Sequence, residues 1–316
     1  MTSLIIDNRD TRLDYDQHCL IIRQPDLPPR SVPLQGLERI LCLHNVQLDT
    51  RLLAQCQRRG VDFVLLNSRH SDLSLALHAN HLQQAGRRSR QYALSLDEAL
   101  ALRGARLLVA IKLRQGRRIL LKQGDSPARR TALQALHGAR SRLRAAEDLN
   151  VLRGLEGSAQ RALFAFWREQ LPSELGFESR QRRPPRDPVN AVLSLSFTLL
   201  YHEAIRQCLL HGLDPWLGLY HRLAPGRQSL ACDLMEPLRP WIEAWVVDSF
   251  TQGLFDRRHF SISAEGCLFG KAGRSVFYPQ WYARQPHWGG RMGRYAGALA
   301  RQLDRLPLKG AQALAT

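Results

Sequence analysis

The hydrophobic pattern of this 316-residue chain changes once, near residue 85, and that change limits the folds open to it. Before it, apolar residues come in short, β-branched runs: SLIIDN over 3–8, CLIIRQ over 19–24, RILCLH over 39–44 and VDFVLLN over 61–67. Each is bounded by Asp, Asn, Pro or Gly, as strands are. DTRLDYDQHC (10–19) reads as a hairpin connection between the first two. DLPPRSVPL (26–34) holds three prolines, which confine it to a sheet edge or a turn. DTRLLAQCQRRG (49–60) is the exception, a short helix with an Asp49 or Thr50 cap and a Gly60 stop.

Beyond residue 85 the apolar spacing becomes helical. Long helices are expected over 91–123 and over 126–171, the latter broken at Gly154 and Gly157. GFESRQRRPPRDP (176–188) is polar and rich in Pro and Arg, a loop carrying Arg180, Arg182, Arg183 and Arg186. PVNAVLSLSFTLLYHEAIRQCLLHG (188–212) is a long apolar helix closed by Gly212, and the last residues, PLKGAQALAT, read as a frayed tail. The expected fold class is α+β: a small β domain over residues 1–85, then a larger all-α domain over residues 86–316.

Charge narrows the function. The chain carries 45 Lys and Arg against 28 Asp and Glu, a net +17. Residues 87–186 alone hold 22 basic against 9 acidic residues, +13 of that total. A field of this sign attracts polyanions, and arginine's planar fork suits phosphate. Nucleic acid is the expected partner. No run of 18 apolar residues marks a membrane span. The opening MTSLIIDNRDT reads as a first strand, not a secretory leader. The six cysteines form no CxxC pair and read as free thiols of a cytoplasmic protein.

Three places hold residues suited to chemistry. Glu156, in GLEGSAQRALFAFW, stands between glycines where a helix is expected to begin; taken alone, it is explained by the dipole of a helix N-terminus. His221, in GLDPWLGLYHRLAPGRQ, lies in a loop; taken alone, a histidine there is a surface or satisfied core residue. In SLACDLMEPLRPWIEAWVVDSF, Ser229 is a candidate N-cap, and Asp233 and Glu236 share a helical face at i, i+3. Pro237 and Pro240 should distort that helix. Together, a Glu/His/Glu set suits Mg²⁺ or Mn²⁺ better than structural zinc, and in a cationic chain it points to phosphodiester chemistry.

At these residues the sequence resembles the CRISPR-associated protein 1 family, the integrase and endonuclease of spacer acquisition. The resemblance runs over nearly the whole chain. Its most specific block spans GLDPWLGLYHR to SLACDLMEPLRP; GLEG, DPVNAVLSLSFTLLY and the opening strands add to it. It implies a metal held by Glu156, His221 and Glu236, with Asp233 a neighbouring acid and Asn190 a helix residue close by. In this chain the third ligand is Glu, where some members have Asp. The resemblance also implies homodimerisation through the β domain, and a heterohexamer in which two such dimers clasp a dimer of CRISPR-associated protein 2. The substrates would be double-stranded and branched DNA, attacked by a 3′-hydroxyl or by water. Arg222, Arg227 and Arg239 are candidate DNA contacts, with ion pairing to Asp233 or Glu236 the equal alternative. Tyr201 and Tyr220 are placed between base stacking and core packing. The segment after Trp281 receives no role. The competing functional reading is a non-catalytic basic DNA-binding scaffold.

Overall fold

The computed structural model describes residues 2–66, 74–77, 84–182 and 184–307. They form two compact units, Met1–Gln83 and Gln84–Thr316. The expected boundary falls two residues later. Arg183, Asn67 and the end of the tail lie outside the described residues.

The first unit holds β1 (Thr2–Ile6), β2 (Thr11–Asp16), β3 (Cys19–Gln24), β4 (Leu27–Pro33), β5 (Leu37–Cys42), β6 (Val46–Leu48), α1 (Thr50–Arg59), β7 (Asp62–Leu65) and β8 (Leu75–Leu77). One sheet runs β1-β5-β7-β8, parallel except for its last pair; the other runs β4-β3-β2-β6. The stretch expected as a hairpin connection is itself a strand. In β2, Thr11 and Leu13 are buried while Arg12 is exposed, and Asp14 binds Arg12 and Arg23 at 2.9 Å each. Its charges hid the alternation. Only Gln17 and His18 turn the chain, both at positive φ, as a two-residue hairpin requires. Proline-rich β4 takes an edge, where missing N–H groups cost nothing. Helix α1 is capped by Asp49, which accepts from the Arg51 N–H, and stopped by left-handed Gly60. Its Leu52 and Cys56 join Ile6, Leu13, Leu20 and Ile40 in the core.

The second unit holds α2 (Ala85–Leu96), α3 (Glu98–Leu120), α4 (Pro127–Arg142), α5 (Leu149–Gln170), α6 (Pro188–Leu210), α7 (Ser229–Met235), α8 (Arg239–Thr251) and α9 (Lys271–Asp304). Side chains of Asp97, Ser126, Asp148 and Asp187 cap the starts of α3, α4, α5 and α6. The unit is not wholly helical: β9 (Phe260–Ser263) and β10 (Gly266–Phe269) make a hairpin too short to declare itself by periodicity.

Helix α5 runs unbroken through Gly154 and Gly157, against expectation. Its Asp148 cap and the buried stripe Leu152, Ala159, Leu163 and Phe166 outweigh about 1 kcal/mol per glycine. Helix α6 is buried on nearly every side, and α9 meets it through glycines. A β-carbon at Gly289, Gly293 or Gly297 would come within 3.0, 2.8 and 3.1 Å of Glu203, Gln207 and His211 respectively. This gives the segment after Trp281 a packing role. No described helix is long and apolar enough to cross a membrane.

Candidate functional site

Three elements of the helical unit bring charged side chains to one buried point. Glu156 projects from the third turn of α5, well past the Asp148 cap, so the helix-dipole explanation does not apply. Glu236 opens a single 3-10 turn, Glu236–Leu238, wedged between α7 and α8 by Pro237 and Pro240. Between the two carboxylates stands Lys112 of α3, only 5% exposed. Its Nζ donates to Oε1 of Glu156 and, at 2.6 Å, to Oε2 of Glu236.

Sequence reasoning missed Lys112. A signal was present: it follows Ala105 and Val109 on the buried stripe of α3, at a position that by spacing belongs to an apolar residue.

Arg239, the first residue of α8, binds the other oxygen of Glu236, Nε to Oε1 at 2.9 Å, and its guanidinium stacks 4.6 Å from the Phe197 ring centre. Burial pushes the Glu236 carboxyl upward, but the charges of Arg239 and Lys112 overcome it and hold the group at about 2. Burial likewise works against the Lys112 ammonium, and Glu236 and Glu156 reverse this, leaving it raised. Glu243 of α8 is also buried; burial raises it, and Gln160 Nε2 lies 3.0 Å from both its oxygens.

His221 lies in the loop between α6 and α7, as expected, and Asp233 of α7 organises that loop. One Asp233 oxygen accepts the N–H groups of Leu219 (2.6 Å) and Tyr220 (3.0 Å). The other accepts the His221 N–H (2.9 Å) and meets its Nδ1 at 2.7 Å. An ionised carboxylate only accepts, so Nδ1 carries a proton, and in the neutral ring Nε2 is the nitrogen that keeps a lone pair. Gly218 permits this approach: a β-carbon there would lie 2.7 Å from Oδ2 of Asp233 and 2.8 Å from the Ser229 carbonyl. Ser229 is not the N-cap but the first residue of α7, and its hydroxyl donates to the Arg222 carbonyl at 2.9 Å. His221 stands close enough to Glu236 that only its protonated form would act on that carboxyl as a charge. Tyr220 is buried beside the same centre, and burial, then Glu156 and Glu236, raise its hydroxyl.

The remaining residues divide. Asn190 is fully buried and clamps the arginine-rich loop: its Oδ1 accepts from Arg180 Nη1 and the Gln181 N–H, and its Nδ2 donates to the Ser179 carbonyl and Asp187. Burial, then the charge of Arg239, lowers Arg180 to about 10; Arg239 is the largest cause lowering Arg182. Both cations therefore border the carboxylate centre. Arg239 makes the ion pair that was one of its two expected roles. Arg227 turns inward to the Arg222 carbonyl, and Arg222 lies 3.7 Å from exposed Glu98. Tyr201 accepts the Gln228 N–H at 3.1 Å.

The resemblance implies a divalent ion at this centre. The donor chemistry fits a hard cation: two carboxylates from separate elements already converge on one positive charge, and His221 offers Nε2. The fit is incomplete as the side chains stand, since among the described residues no three of His, Cys, Asp or Glu are grouped to hold an ion. Lys112 takes the carboxylates' free positions.

A strand-rich unit ahead of a helical one, the latter carrying a buried carboxylate centre bordered by arginines, defines a class of two-part proteins with a charged interior site. The family described as CRISPR associated protein Cas1 matches residues 4–283, and the chain belongs to it. It is 32% identical over 319 residues to "CRISPR-associated endonuclease Cas1 1" of Thermodesulfovibrio yellowstonii, covering 96% of this chain and 99% of that one. Among solved structures, a CAS1 protein from Thermotoga maritima, TM1797, superposes with a TM-score of 0.86 at 18% identity over 98% and 99% of the two chains. A casposase bound to integration product gives 0.81 at 16%, over 98% and 94%. A chain of a Cas6-RT-Cas1–Cas2 complex gives 0.74 at 22%, over 100% of this chain and 35% of that one.

Proposed function

We propose that the chain is a divalent-metal-dependent DNA integrase and endonuclease of CRISPR adaptation. It would join the 3′-hydroxyl of a short DNA fragment to a phosphodiester of the repeat array, and nick DNA when water replaces the hydroxyl. The observation that carries this reading is the convergence of Glu156 and Glu236 on one buried cation, beside a histidine whose Nδ1 is held by Asp233. Glu156, His221 and Glu236 are the residues to hold Mg²⁺ or Mn²⁺. Bound there, the ion supplies charge stabilisation at a phosphate oxygen and a lower pKa for the attacking hydroxyl. Asp233 fixes the imidazole, the role such carboxylates take behind metal-bound histidines. Arg239 forms an ion pair with one oxygen of Glu236 and leaves the other to face Lys112.

The relative from Thermodesulfovibrio yellowstonii is named an endonuclease, the casposase was solved with an integration product, and the third structure is an assembly with Cas2. By analogy, this chain takes double-stranded and branched DNA, forms a homodimer through its first unit, and joins CRISPR-associated protein 2 in a heterohexamer in the cytoplasm. The test incubates both purified proteins with a short duplex and a repeat-bearing plasmid. Fragments joined at the repeat boundary with Mn²⁺, and none with chelator, are expected. Binding without product under every metal condition would leave the scaffold reading in place.

The arginines of residues 87–186 make a second expectation. Each phosphate neutralised releases counterions, so six contacts would cost about 10³-fold in affinity between about 50 and 200 mM salt. Fluorescence anisotropy with a labelled duplex measures the slope, and a flat response would rule out arginine-to-phosphate binding as the main term.

A further inference from the structure

The proposed chemistry has no use for the ammonium of Lys112. Burying it is costly, and a methionine would fill the same stripe of α3 without desolvation. The charge is therefore explained by what it touches. The two cations at Glu236 divide its oxygens, Arg239 on Oε1 and Lys112 on Oε2. They are not equivalent. Arg239 is stacked on Phe197, whereas Lys112 reaches its partners on a flexible four-carbon stem. It spans Glu156 and Glu236 at once, the bridge that a shared ion would make. A third buried carboxylate, Glu243, lies within reach of its charge, with Gln160 beside both oxygens.

We propose that Lys112 is a displaceable counter-cation. It holds Glu156 and Glu236 in position while the metal is absent, and turns toward Glu243 when a divalent ion takes its place. This rests on the metal-dependent reading and adds a residue to it. It also accounts for the incomplete grouping of ligands: the carboxylates are set around an ammonium, and His221 remains bonded to Asp233 outside that pair. Metal affinity in this chain is then set by a competition. The ion must dislodge a like charge from the same two carboxylates, in a medium of low effective dielectric.

The experiment is Mn²⁺ titration of the full chain by calorimetry, with thermal melting in parallel. Lys112→Met should bind Mn²⁺ about tenfold more tightly or better, a shift well within the size of one unit-charge repulsion at this range. Its metal-free form should melt below the wild type, and Mn²⁺ should raise its melting temperature by more. Glu243→Gln should weaken Mn²⁺ binding in the wild type and have little effect in the Lys112→Met background, a coupling that simple loss of packing would not produce. Mn²⁺ binding to Lys112→Met no tighter than to wild type would overturn the inference. If Lys112→Met folds only with Mn²⁺, the inference stands; if Mn²⁺ does not restore its folding, the inference falls. The metal reading fails separately, and this inference with it, if wild type binds no Mn²⁺ or if Glu156→Ala binds it unchanged.

Discussion

His221→Ala is expected to lower strand transfer and nicking by about 10³-fold or more, the scale on which a group acting on transition-state charge is felt. DNA affinity should stay within a few-fold of wild type. The side chain is a quarter exposed, and its ring bonds to Asp233, which keeps three backbone partners without it. The fold should therefore tolerate the change, so lost turnover reports on the reaction. Glu156→Ala should lose activity equally but for a mixed reason. It removes one of the two carboxylates on buried Lys112, and breaking a buried pair destabilises by about 3–5 kcal/mol. Integration and nicking assays in Mn²⁺, beside anisotropy with the same duplex, check both variants. Normal joining by His221→Ala would remove the imidazole from the chemistry.

The residues that resemble the family are legible because each carries a local signature: GLEG, the histidine after GLDP, and the acid before Pro237. Their surroundings are less so. The glycines flanking Glu156 look like breaks and suggest a helix start. The helix runs through them because buried leucines on one face outweigh two weak propensities. Ser229 resembles a cap by type, yet its hydroxyl is claimed by the Arg222 carbonyl, a contact that exists only after the loop has folded back. Local patterns cannot show which of two partners a side chain will choose.

Lys112 is the sharper case. It lies on a helix whose other buried residues are mostly apolar or small, 44 residues from one partner and 124 from the other. Nothing local distinguishes it from the many solvated cations of the same stretch. Only the phase of α3 marks it as internal, and phase becomes decisive once two carboxylates are known to face it. The strand β2 is hidden by the opposite effect. Its Asp14 pairs with Arg12 and with Arg23 of β3 and leaves Thr11 and Leu13 to the core, so a hydrophobicity count over the segment is low while the alternation is intact. In both elements periodicity carries more information than composition, because burial follows direction and not average polarity.

Asp233 should be the most costly single residue to remove from the loop that carries His221. It is 2% exposed and accepts three backbone N–H groups and the imidazole. Asp233→Ala leaves those donors unmatched, at about 1–3 kcal/mol for each that water cannot reach. A total loss of about 3 kcal/mol or more is expected, which lowers the melting temperature by roughly 10 °C in a domain of this size. Asp233→Asn separates two roles. Its carbonyl oxygen can still accept the Leu219 and Tyr220 N–H groups, so the loss of stability should be smaller. Its amide, however, turns donors toward the His221 backbone and ring. A donor facing Nδ1 puts the ring proton on Nε2 and removes the lone pair that a metal needs. Asp233→Asn should therefore keep most of the fold while losing strand transfer nearly as fully as His221→Ala. Melting curves and Mn²⁺ titrations of both variants decide the matter: an Asp233→Asn protein that binds Mn²⁺ as wild type does would show that the carboxylate supports only the loop.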